Sequence, residues 1–136
     1  MTAPDRTVRQ EIVNDFDRCE FARLLGMRLH SVEGEEVTIT MGSKDKSGPT
    51  GGIIHGGAIF SLADQAFGIA ANMQGERRVA LAVTIRYITP ATGSLVAVAK
   101  RVSGGDMYSL YEVRVKEGDR LIAIFEGTAI KVPSPV

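Results

Sequence analysis

The chain has 136 residues, 44% of them hydrophobic and 24% charged, the size and balance of one globular domain spanning 1–136. Lys plus Arg and Asp plus Glu each number 16, so the formal charge is zero and no strong field exists to draw in nucleic acid or an anionic membrane. Cys19 stands alone, which excludes an intrachain disulfide and points to a reducing, cytoplasmic setting.

Asp5 to Leu25 reads as a helix, because Val8, Ile12, Val13, Phe16 and Cys19 recur at spacings of three or four, and Gly26 is placed to end it. The opening stretch MTAPDRTVRQEIVNDFDR lacks the apolar run of a secretory leader. From Met27 to Met41 the period falls to two, with Val37, Ile39 and Met41 alternating with threonines, and Glu33-Gly34 marks a hairpin turn. Gly42 to Gly52 holds four glycines and a proline and reads as a loop. Gly57 to Met73 is helical and apolar on nearly every side, which predicts burial. Strands are expected at Val79–Ile88, Leu95–Ser103, Met107–Lys116 and Leu121–Val132, with Gly93, Gly104-Gly105 and Gly118-Asp119 at hairpin spacing between them. The tail PSPV is expected to fray. Consecutive antiparallel strands with segregated helices define an α+β fold, and a sheet curled around the long helix accounts for its apolarity. The apolar run at Ala58–Ala71 is broken by Ser61, Asp64 and Gln65 and is shorter than the ~20 residues of a membrane span.

Asp64 is the most informative residue. Burying an unpartnered carboxylate costs several kcal/mol at least, and a helix interior offers it no free N–H. Either it reaches solvent or an ion pair at the helix edge, or its surroundings are arranged for a ligand. Gly57, Ser61, Asp64 and Gly68, followed by Ala71 or Asn72, form a stripe of small or polar residues on one face. That stripe leaves room for a ligand or partner beside a carboxylate suited to base or nucleophile work. His55-Gly56-Gly57 directly precedes the helix. Glycines there either permit a tight turn or leave N–H groups accessible at the positive end of the dipole, the geometry of an oxyanion hole. Ser61 either orients Asp64 or bonds back to its own helix. A Ser–His–Asp triad lacks a nucleophile elbow. A metal site is not expected, because His30 lies on a different element and no second cysteine exists.

The run GIIHGGAIFSLADQAFGIAAN resembles the signature of the PaaI-like acyl-CoA thioesterases of the hotdog superfamily. VALAVTIRYITPA resembles that family's strand after the central helix, and FARLLGMRL its N-terminal segment. The resemblance implies a hotdog fold, with a curved antiparallel sheet wrapped around one long helix, and a homodimer or dimer of dimers with active sites at the interface. It implies hydrolysis of an acyl-CoA without metal or cofactor. Asp64 is then the base or nucleophile, the Gly56 N–H the oxyanion donor and His55 the residue that positions the turn, with Gly57, Ser61 and Gly68 beside the substrate. The helix carrying Asp64 would face the HGG turn of the other subunit. Pro49 stands where many members have Asn, and Ala80 where many have Ser or Thr; Ser47, Thr50 and Ser61 are candidate replacements. These departures keep open a non-catalytic acyl-CoA binding or sensing protein. A hotdog dehydratase would need a histidine on the helix, and none is present. Arg77, Arg78, Lys100 and Arg101 are candidates for the CoA phosphates. Phe60, Phe67, Tyr87 and Met107 line either an acyl pocket or the core.

Overall fold

The computed structural model describes residues 6–133; Asp5 and the last three residues of the tail lie outside them. The N-terminal helical region is two helices rather than one, α1 (Arg6–Asp17) and α2 (Glu20–Leu24). The expected single helix breaks at Cys19, whose backbone is extended (φ −76°, ψ 101°). The Arg23 guanidinium donates to the freed Asp17 carbonyl at 2.7 Å, so the break is satisfied locally. Gly26 ends the region at φ 68°, as expected of a residue without a Cβ.

Next come β1 (Met27–Glu33) and β2 (Glu36–Met41), then α3 (Gly56–Ala71). Four strands follow: β3 (Arg78–Tyr87), β4 (Leu95–Gly104), β5 (Tyr108–Glu117) and β6 (Arg120–Lys131). They form one antiparallel sheet in the order β1-β2-β4-β5-β6-β3. Most element ends fall within a residue or two of those read from periodicity. One pairing does not follow. Gly93 suggested a β3–β4 hairpin, but β3 pairs with β6 at the far edge while β4 lies between β2 and β5. A glycine turn signal is local, whereas strand partners are chosen by long-range burial.

The sheet wraps α3, which touches β2, β3, β4, β5 and β6. This is the hotdog arrangement. Ala58, Ile59, Leu62, Ala63, Ala66, Phe67, Ala70 and Ala71 are buried against it. They meet Val37, Ile39, Ala97, Val113, Val115 and Phe125 from the strands. Each large apolar side chain sealed here contributes about 2 kcal/mol. Phe67 sits at the centre, 5.5 Å from the Phe125 ring and 5.6 Å from that of Tyr111. Gly127 admits it, since a Cβ there would lie 2.7 Å from the Phe67 ring. The helix is not buried all round, however. Gly57 and Asp64 are exposed, and Ser61 and Gly68 are half-buried, so the small-residue stripe is the open face. Among the described residues no helix is long and apolar enough to cross a membrane.

Candidate active site

The loop before α3 folds back on itself as a small hairpin. Ser47 bridges Ile54, the Gly48 N–H donates to the Ile53 carbonyl (2.8 Å) and the His55 N–H to that of Lys46 (2.7 Å). Pro49 and Thr50 lie exposed near its tip, before Gly51 and Gly52, which take the positive φ values of 51° and 75°. The Ile54 N–H donates to the carbonyl of buried Ala91 at 2.8 Å, which ties the loop to the segment that carries the chain from β3 to β4. Thus the two motifs singled out in the sequence meet: the Pro90-Ala91 pair secures the approach to His55.

His55 caps α3. Its Nδ1 accepts from the Gly57 N–H at 2.8 Å, which places the proton of the neutral ring on Nε2. Its carbonyl accepts from the Ala58 and Ile59 N–H groups at 2.9 and 3.2 Å. Tyr87, at the end of β3, donates its hydroxyl to the Gly56 carbonyl at 3.2 Å. One backbone donor at this turn is left over. The Gly56 N–H has no acceptor among the described residues. In a trans peptide the N–H points opposite to the C=O. The His55 carbonyl points into the helix, so the Gly56 N–H points out of its start.

Asp64 lies two turns further along α3. Its carboxyl has no hydrogen bond or ion pair among the described residues. Although the side chain is open to solvent in a single chain, the protein atoms around it desolvate the carboxyl and push its pKa above the ordinary carboxylate value. Ser61 does not orient it: the Ser61 hydroxyl donates to the Gly57 carbonyl at 2.7 Å, back into its own helix. Asp64, Gln65, Gly68, Ile69 and Asn72 form one wall of a groove of about 360 Å³, with Ile12, Asp15, Phe16 and Cys19 of the N-terminal region opposite. Asn72 closes the far end; its side chain donates to the Gly68 and Arg78 carbonyls and accepts from the Arg78 N–H.

The candidates for phosphate contacts separate clearly. Arg78 is buried, and its guanidinium is spent on Glu76, Ser109 and the carbonyls of Gly105, Asp106 and Met107. It braces the β4–β5 turn and is not available to a ligand. Lys100 pairs with Glu36 at 3.1 Å, and Arg77 is exposed. Of the four aromatic or thioether candidates, Phe67 is core and Phe60 packs edge-on against Phe125, whereas Tyr87 and Met107 are exposed. The Tyr87 hydroxyl has no local signal in the sequence, because its partner Gly56 lies 31 residues away.

Residues 51–124, which span the His55 turn, Asp64 and most of the sheet, match the model of the thioesterase superfamily, and the chain belongs to that family. It is a PaaI-like thioesterase. The acyl-coenzyme A thioesterase PaaI of Escherichia coli is 35% identical over 121 residues, covering 85% of this chain and 84% of that protein. The solved structure of the E. coli PaaI protein from the phenylacetic acid degradation operon superimposes with a TM-score of 0.86 at 27% identity, over 93% of this chain and 94% of that one. A variant of the phenylacetic acid degradation protein PaaI of Thermus thermophilus gives 0.78 at 28% identity, over 83% and 99%.

Proposed function

We propose that this thioesterase hydrolyses acyl-CoA to a carboxylic acid and CoA, with Asp64 as general base or nucleophile and the Gly56 N–H as oxyanion donor. The observation that carries this reading is the pairing of two unspent groups on one helix. At the start of α3 the other backbone donors and acceptors of the HGG turn are engaged, and among the described residues the Gly56 N–H is the backbone group left without a partner. Further along, Asp64 is desolvated and unpartnered. In the general-base form Asp64 takes a proton from water, the hydroxide adds to the thioester carbonyl carbon, and the Gly56 N–H stabilises the oxyanion. The C–S bond then breaks, and the thiolate leaves with the proton returned from Asp64.

Within a single chain the two groups stand far apart for one carbonyl to use both. Gly56 and Asp64 are eight residues apart, about 12 Å along a helix rising ~1.5 Å per residue. A base and an oxyanion donor must both lie within about 3 Å of the reacting atoms. The site is therefore read as shared between two copies, the Asp64 of one meeting the turn of the other. β3 supports this. It is an edge strand of ten residues with Val79, Leu81 and Tyr87 exposed, and such an edge is a template for pairing with a second chain into a continuous sheet. Zero net charge imposes no repulsion on that association. The single cysteine and a CoA ester substrate suit the cytoplasm.

His55 acts as the residue that shapes the turn, because its Nδ1 is occupied by the Gly57 N–H. Gly57, Ser61 and Gly68 keep the substrate face of α3 free of bulk. The thioesterase relatives favour turnover over the binding-only alternative, even with Pro49 and Ala80 in place of polar side chains.

Incubation with a panel of alkanoyl-, phenylacyl- and benzoyl-CoA esters, with release of free thiol as the readout, tests the reaction. Hydrolysis of at least one ester is expected; no thiol release from any of them sinks the reading. The pH profile adds a second check. Protonated Asp64 is inert as a base, so kcat is expected to rise with pH through a midpoint above the ordinary aspartate value and then level off. Because the folded-state pKa is raised, the folded form holds this proton more tightly than the unfolded chain. The linked stability is present below that window and is lost as pH rises through it. A rate that is flat across that range would remove Asp64 as the base.

A further inference from the structure

The peptide unit between Gly56 and Gly57 is held at both polar ends. Its N–H, on Gly57, donates to His55 Nδ1, and its carbonyl, on Gly56, accepts the Tyr87 hydroxyl. The Tyr87 ring also lies beside Gly56; a Cβ built there would stand 3.5 Å from it, in ordinary contact. The preceding peptide, which carries the free Gly56 N–H, is fixed through the His55 carbonyl by Ala58 and Ile59. The two units meet at Gly56, the residue type with the widest backbone freedom. The Tyr87 hydroxyl reaches the second unit from β3, outside the helix, and so adds a fixed point on the far side of Gly56. In the single chain Tyr87 is 54% exposed, and a neutral hydrogen bond at so open a position adds little to the folding of that chain.

We propose that Tyr87 is a positioning residue, whose hydroxyl holds the Gly56–Gly57 peptide and so aims the Gly56 N–H at the developing oxyanion. This rests on the reading of Gly56 as oxyanion donor. The test is Tyr87→Phe, which keeps the ring and removes only the hydroxyl. With the ester that wild type turns over best, kcat is expected to fall about tenfold, less than the ~100-fold or more for losing a donor outright, with KM unchanged. The midpoint of the pH profile and the melting temperature should stay where they are in wild type, since neither Asp64 nor the core is touched. A double-mutant cycle isolates the route. If Tyr87 acts only through the Gly56 N–H, removing its hydroxyl from a Gly56→Pro background costs nothing further. An unchanged kcat in Tyr87→Phe overturns the proposal, as does a change confined to KM, which would mean that the ring touches substrate, or a full additional loss in the Gly56→Pro background. An active wild type with an inert Asp64→Asn and an unaffected Tyr87→Phe leaves the thioesterase mechanism standing and removes this inference alone; a wild type inert on every ester overturns both.

Discussion

Asp64→Asn should lower kcat by about 10³-fold, within the range for loss of a general base, without loss of structure. The substitution keeps size and shape and removes only the charge. Asp64 contributes no hydrogen bond or ion pair to the described fold, so none is broken. Its charged form is disfavoured by desolvation, so the neutral amide should leave the melting temperature at neutral pH equal to wild type or slightly higher. These two readings together separate a catalytic carboxylate from a structural one. A structural acid would lose stability with activity, and a solvated surface acid would lose neither. Substrate binding is expected to survive in this variant, because the substitution keeps the size and shape of the side chain.

Gly56→Pro should be the second near-complete loss, about 10²- to 10³-fold in kcat, the cost of deleting one oxyanion donor. Proline is an unusually clean probe at this position. It is favoured at the first residue of a helix, where the missing N–H has no helical partner. The residue before a proline is pushed to extended or polyproline backbone, and His55 already sits at φ −59°, ψ 133°. The added Cβ meets the Tyr87 ring at ordinary contact distance. The fold therefore loses no hydrogen bond, while the site loses the backbone donor that the turn leaves unspent. Gly56→Ala is the control. It keeps the N–H and adds the same contact with Tyr87, so it should retain most of the activity that the proline variant lacks.

The carboxylate, the glycine turn and the sheet curled round a helix were all legible in the sequence, because each is written in local pattern. Period-two alternation marked the strands, the stripe of Gly57, Ser61, Asp64 and Gly68 marked the open face, and HGG marked the helix start. What stayed hidden depends on contacts between distant segments. The placement of β3 beside β6 follows from long-range pairing, and Gly93 signals only a turn. Arg78 reads in sequence like any surface arginine, whereas its guanidinium is surrounded by carbonyls of the β4–β5 turn. Tyr87 looked like a strand aromatic, and its hydroxyl acquired meaning only beside Gly56. Ser61 has two roles open to it in the sequence, and the carbonyl of Gly57 takes the hydroxyl back into the helix. The break at Cys19 was missed because helical spacing of apolar residues continues across it.

The two inactive variants supply the most direct test of the central claim, that one site is built from two chains. Asp64→Asn and Gly56→Pro chains are each prepared, mixed in equal amounts under conditions that exchange subunits, and assayed for thiol release. In a symmetric dimer, half of the random pairs are mixed, and each mixed pair holds one intact site, the Asp64 of one chain with the Gly56 N–H of the other. Activity should return to about a quarter of wild type. A mixture as inactive as its two components, with exchange confirmed by mass, would contradict the account, because it would mean that Asp64 and the HGG turn do not meet across the interface.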